Sequence, residues 1–144
     1  MIVTTTQGFE HFHTAQKHNF ARAFKEIKDG RKNSHWMWFV FPQLAGLGFS
    51  EMTKKYAIHD IPEASAYLAD NVLGERLTSI SKQILSHKDK TAHEIFGSPD
   101  DMKLKSSMTL FSLVPGADAV FQEVLDEFYE GVKDPKTLEL LGQM

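Results

Sequence analysis

Cysteine is absent from the sequence, and its absence excludes disulfides, thiolate zinc sites, iron–sulfur ligation and a cysteine nucleophile. Blocks of one charge sign are missing too. Acids and bases are interspersed to a formal net charge of -3, so no basic face is offered to a DNA or RNA backbone and nucleic acid is not an expected partner. No apolar stretch reaches the roughly eighteen unbroken residues of a membrane span. The opening MIVTTTQGFEHFH lacks the basic end and apolar middle of a signal peptide, which points to a cytoplasmic protein with no membrane association. A Walker glycine loop, a dinucleotide fingerprint after a strand and a nucleophile elbow are all missing, which excludes the recognised nucleotide folds. His11 and His13 alternate and would point apart on a helix. His59, His87 and His93 stand without a carboxylate or histidine at ligand spacing, so no metal site is expected.

What remains is globular material. Hydrophobic residues make up 42% and charged residues 24%, far from the charge-rich composition of a disordered chain. A length of 144 residues is enough to bury most of the surface without a disulfide or metal. With no linker, repeat or low-complexity tract, residues 1–144 are read as one domain.

Helix punctuation recurs along the chain. Phe9, Phe12 and Gln16 suggest an opening helix, and Phe20, Phe24 and Ile27 repeat at the spacing of an apolar stripe, which Gly30 would end. Asp60 and Glu63, with Pro62 between them, have the pattern of a capping box opening a helix to about Leu68. Leu73, Leu77, Ile80 and Ile84 keep helical spacing over three turns. Thr91 with Glu94 forms another capping box, and Ser98, Pro99, Asp100 and Asp101 read as an N-cap, a first-turn proline and dipole-matched acids. Pro115–Gly116 would break that helix, Asp118 would open the next, and Asp134–Pro135 a last short one. The expected fold is all-α: a compact domain of about seven or eight short helices, orthogonal rather than a long parallel bundle.

Residues 30–49, GRKNSHWMWFVFPQLAGLGF, depart from this regularity. Six apolar residues in a row, Trp36 to Phe41, suit a buried helical turn as well as a buried strand; Ser34 as cap and Pro42 as stop favour helix. The apolar members suit a central core element, because aromatics bury the most area. The polar flank, Arg31, Lys32, Ser34, His35 and Gln43, together with an indole of Trp36 or Trp38, has the chemistry to grip a phosphate or stack a planar ring.

The stretches GRKNSHWMWFVFPQLAGLG, KKYAI, EASAYL, VLGERL, IFGSPDDMKLKSSMTLF, VFQEVLDEF and DPKTLELL, in that order, resemble the uncharacterised bacterial family known as domain of unknown function 1810, over roughly residues 9–141. The resemblance implies a mainly α-helical single domain and no activity. Asn71 stands where many relatives carry proline, which weakens a helix start.

In FGSPDDMKLKSSMTLF, Asp100, Lys103 and Ser107 share one helix face while Asp101 faces Lys105. An ordinary reading makes the acids a dipole match, Asp101–Lys105 a surface pair, and Ser106 and Ser107 spacers for close packing. A functional reading places a ligand at the front of the helix. Two acids there disfavour an anion and suit a cation, a ribose hydroxyl or a general base. Two functions follow. One is a small-molecule site for a phosphorylated or nucleotide-derived ligand, of the ADP-ribose kind. In it Arg31 and Lys32 hold phosphate, Trp36 or Trp38 stacks a ring, and Ser34, Gln43, Lys103 and Ser107 complete the binding. His35 or Asp100 would handle a proton were it catalytic. No cofactor is implied. The other is a non-catalytic module that anchors a protein partner through Trp and Arg. The first requires the two polar-aromatic segments to meet around one hollow.

Overall fold

Short polar side chains standing just ahead of apolar runs decide where the helices begin. In the computed structural model, which describes residues 8–143, ten α-helices follow one another: α1 Glu10–Lys17, α2 Phe20–Lys28, α3 Met37–Val40, α4 Glu51–Lys55, α5 Ile61–Ala69, α6 Leu73–Ile84, α7 Ala92–Phe96, α8 Asp100–Ser112, α9 Val120–Tyr129 and α10 Pro135–Leu140. A 3-10 turn, Leu85–His87, extends α6. The fold is all-α. The number of helices exceeds seven or eight because α3 and α4 are single turns. No helix among the described residues is long and apolar enough to cross a membrane.

Three caps have the expected geometry or nearly so. Thr91 and Glu94 form a complete capping box on α7, and Asp134 accepts the Thr137 N–H at 2.9 Å to start α10. Asp60 accepts the Glu63 N–H at 2.9 Å, but Glu63 reaches back to the N–H of His59 instead of closing the box on Asp60. Asp118 opens the turn into α9 by accepting the Val120 N–H, although the helix itself has no side-chain cap. Two expected caps are not made. Ser34 does not cap α3, whose first turn has no side-chain cap, and Ser98 makes no cap on α8, where Asp101 N–H bonds the Gly97 carbonyl instead. Asn71 leaves no weakness at α6, because Asp70 takes the N–H groups of Val72 and Leu73.

The run from Trp36 to Phe41 is the centre of the core. All but Trp38 are at most 5% exposed, with Phe41 edge-on to Phe96 and Phe39 tilted on Tyr56. Helix lasts only four residues there. Phe41 takes an extended ψ of 77° because Pro42 crowds the α region of the residue before it. Beyond Pro42 the chain is pinned by one parallel bridge, Leu44 to Ile58, in which Ile58 N–H bonds the Gln43 carbonyl at 2.9 Å. Ser50 accepts the Thr53 N–H and so caps α4.

One buried polar network ties α1 to α5 and α6. The Gln16 amide donates to the Phe39 carbonyl and the Tyr67 hydroxyl, while Asp70 lies 2.9 Å from His13 Nε2. Burial alone would raise the Asp70 carboxyl; the hydrogen bonds from Leu73, His13 and Val72 outweigh it and hold it below its ordinary range. Burial pushes the Tyr67 phenol up.

The α5–α6 corner is set by Gly74. A Cβ at this position would lie 2.0 Å from the Leu68 carbonyl oxygen, a backbone atom that no rotamer change can clear. Gly74→Ala is expected to lower the unfolding free energy by about 3 kcal/mol or more, measured by urea denaturation; a wild-type midpoint would mean that the two helices do not approach this closely.

Candidate functional site

The loop between α2 and α3 is organised by Glu26, an acid on the polar side of α2. Gly30, at φ 87°, lets the chain leave the helix in the left-handed region that glycine tolerates. The loop then folds back over the Glu26 carboxylate. One oxygen accepts the N–H groups of Asn33 and Ser34 and the Trp36 indole N–H, at 2.7, 3.0 and 2.9 Å; the other accepts the Ser34 hydroxyl at 2.6 Å. Burial pushes the carboxyl up, but the bonds from the Ser34 hydroxyl, Asn33, Trp36 and the Ser34 N–H outweigh it and hold Glu26 below the usual carboxylate range. Ser34 and Trp36 are therefore committed to the loop. Trp36 is 1% exposed.

Lys32 turns inward from the same loop. Its N–H bonds the Ile95 carbonyl at the end of α7, and its ammonium, on a side chain 8% exposed, lies 2.8 Å from Asp100 Oδ2. It also donates to the Ser34 carbonyl at 2.6 Å and sits 5.1 Å above the Trp36 ring. The other Asp100 oxygen is 3.5 Å from the Lys103 ammonium, which lies 5.4 Å from the half-buried Trp38 ring. Two cation–π contacts thus flank one carboxylate shared by two lysines. The structure brings Lys32, Trp36, Trp38, Asp100 and Lys103 into a single cluster where the α2–α3 loop meets the front of α8.

Two hollows adjoin this cluster, one lined by Lys32 and the other by Lys103. A basic hollow of about 460 Å³ is lined by Arg31, Lys32, Lys90 and His93, with Glu94 and the backbone through Gly97. A mixed hollow of about 320 Å³ is lined by Gln43, Leu47, Pro99, Met102, Lys103 and Lys136, with Gly48, Thr53, Ser106 and Asp134 between them. Of the residues singled out by sequence, Arg31 and Lys32 line the first and Gln43 and Lys103 the second. His35 is exposed, lines neither hollow and makes no hydrogen bond or ion pair among the described residues. Ser107 is wholly buried and its hydroxyl has no partner among the described residues.

Several pairings differ from those read along the helix. Asp101 does not pair with Lys105: its carboxylate is 3.5 Å from His93 Nδ1, its carbonyl accepts the Tyr129 hydroxyl, and Lys105 lies 5.9 Å from the Tyr129 ring. Burial, reinforced by the Asp101 charge, pushes the Tyr129 phenol up. His59 does have a carboxylate one turn on, with Nδ1 2.9 Å from Glu63. Among the described residues no three His, Asp or Glu side chains gather as metal ligands would. Glu26 and Lys90 were not singled out by sequence. Glu26 serves donors seven to ten positions downstream, a separation outside any helical or turn pattern, and Lys90 enters only because the turn ahead of α7 lies against Gly30.

A family model described as "Protein of unknown function (DUF1810)" matches residues 6–141. The chain is also similar to the crystal structure of the conserved hypothetical protein Rv1873 from Mycobacterium tuberculosis, with 42% sequence identity, a TM-score of 0.90, and coverage of 92% of this chain and 95% of that one. No curated protein matches.

A carboxyl held below its unfolded value supports the fold above the ordinary carboxylate range and loses that support as pH falls through the depressed value. Acidification from pH 7 to 3 is therefore expected to loosen the α2–α3 loop at its acid end, read as a change in tryptophan emission. Glu26→Gln should cost about 1–2 kcal/mol in urea unfolding and flatten that acid response. An unchanged acid profile in the variant would show that these bonds contribute nothing to stability.

Proposed function

The chain belongs to the DUF1810 family of proteins of unknown function, and on that premise we propose that it binds a small molecule through a phosphate group seated in the basic hollow. The observation that carries this reading is the state of the donors there. An ammonium has three N–H donors and a guanidinium five. Lys32 directs its ammonium to Asp100 and Ser34, and Lys90 donates to the Gly30 carbonyl at 3.1 Å. Both are held in place with donors to spare. The Arg31 guanidinium makes no bond among the described residues. Glu94 is the one acid in the lining, and its carboxylate accepts the Thr91 N–H at 2.8 Å.

Oriented cations with free donors suit phosphate oxygens, which take short charge-assisted bonds from Arg and Lys. Asp100 fits the part of a positioning residue, fixing Lys32 at the edge of the hollow. Base stacking on Trp36 finds no open face, because the indole is buried and covered by Lys32; the phosphate, not the ring, is the group the hollow favours. His35 stands outside both hollows, so the reading is of binding without a proton-transfer step. A protein-docking role would want exposed tryptophan anchors, whereas Trp36 is buried and Trp38 half-buried.

Thermal-shift titration with inorganic phosphate, sugar phosphates and ADP-ribose tests this. A ligand at one hundred times its Kd should stabilise the protein by about 2.7 kcal/mol, less at high salt. Arg31→Ala and Lys90→Gln are expected to abolish the shift, while Lys28→Ala, a cation exposed on α2, should keep it. Absence of a shift with every phosphorylated compound, or equal shifts in all three variants, would falsify the proposal.

A further inference from the structure

We propose that the mixed hollow lined by Gln43, Lys103 and Lys136 is a separate site for a small organic carboxylate carrying an apolar body. The inference does not depend on phosphate binding in the basic hollow. It starts from an imbalance between acceptors and donors.

The acceptors and hydroxyls of the lining are largely engaged. Asp134 Oδ2 takes both the N–H and the hydroxyl of Thr137, at 2.9 and 2.6 Å. Ser106 gives its hydroxyl to the Met102 carbonyl, and Thr53 Oγ1 accepts the Ser50 hydroxyl. The strong donors are less committed. Neither the Gln43 carboxamide nor the Lys136 ammonium makes a hydrogen bond or ion pair among the described residues. The Lys103 ammonium makes no hydrogen bond among the described residues; it has a 3.5 Å contact with Asp100 and lies 5.4 Å from the Trp38 ring. Two ammoniums and an amide therefore outnumber the one carboxylate of the lining, whose Oδ2 serves the start of α10, a balance that an incoming anion completes.

The rest of the wall is apolar. Leu47, Pro99 and Met102 line it, and Met102 is 51% exposed, an adaptable side chain left open to solvent. Phe49, next to the lining residue Gly48, is 82% exposed. Apolar surface beside unspent cations matches a ligand with a charged head and a greasy body, since each part is desolvated against its own kind. The hollow's 320 Å³ falls at the small end of ligand sites, roughly 300–1,000 Å³, which favours a single ring or short chain over a dinucleotide. Gly48 preserves this shape: a Cβ there would lie 2.8 Å from Thr53 Cγ2 and displace that wall.

NMR of the full chain with benzoate as probe, and acetate and benzyl alcohol as the head and body alone, decides the matter. Benzoate should produce saturable shifts at the Gln43 side-chain amide and the Met102 methyl, while each half-probe binds at least about tenfold more weakly, as expected when either contribution of about 1.4 kcal/mol is removed. Lys136→Met, an exposed position whose loss leaves the fold intact by the dispersion of the amide spectrum, should weaken benzoate by roughly fivefold. Arg31→Ala should leave it unchanged. Benzyl alcohol binding as tightly as benzoate would reduce the hollow to an apolar cleft and overturn the proposal. Shifts confined to Arg31 and His93, or no saturation at Gln43 and Met102, would overturn it too. Failure here leaves the phosphate titration untouched, and the reverse holds, because the two use different residues and probes.

Discussion

The salt bridge between Lys32 and Asp100 is the contact around which the functional side of the molecule is built. A lysine side chain 8% exposed and an aspartate 17% exposed have given up most of their water, and a charge so placed is tolerated only with a partner at hydrogen-bond distance. Removing Asp100 strands Lys32, and removing Lys32 leaves Asp100 only the longer contact with Lys103, so the pair is better understood as a constraint than as a source of stability. It dictates that the α2–α3 loop lies against the front of α8. It also fixes where the remaining donors point. Lys103 shares the same carboxylate, and each of the two lysines lines one of the two hollows.

The helices were legible because their signals are local. Thr91 and Glu94 are three residues apart and close a capping box; Asp134, Pro135 and Thr137 start α10 within one turn. Leu73, Leu77, Ile80 and Ile84 all point into the core, as their spacing requires. The misread starts are informative. Ser34 has the side chain of a cap, yet Glu26 offers it a charged acceptor, and a charge-assisted bond outcompetes a neutral one to a helix N–H. At Ser98 the backbone itself closes the turn through Gly97. The α4 turn went unread because its Ser50–Thr53 cap precedes no apolar stripe.

The candidate site was legible only in composition. Sequence singled out the two segments that meet through Lys32 and Asp100, because clustered aromatics with flanking cations are unusual in composition. It could not say which polar groups would be consumed by the fold itself. Ser34 and Trp36 go to Glu26, and Asp101 turns to His93 and Tyr129 rather than to Lys105. Each of these choices depends on a partner from another helix. Lys90 and Lys136, which line the hollows, sit in stretches with no aromatic neighbour to draw the eye. Periodicity reports which face of an element is buried, not which distant side chain meets it there.

The parts that hold the α2–α3 loop arrive at different times. Glu26 precedes it, but the Ile95 carbonyl, the Phe96 ring that covers Phe41 and the Asp100 carboxylate all lie far downstream. Contacts so distant in the chain form late in folding, after the loop-closure entropy between them has been met. Until α7 and α8 dock, the run from Trp36 to Phe41 is an uncovered apolar segment without a charge of its own. That makes it the stretch of this chain most exposed to self-association during synthesis and refolding, with Arg31, Lys32 and His35 as the flanking gatekeepers.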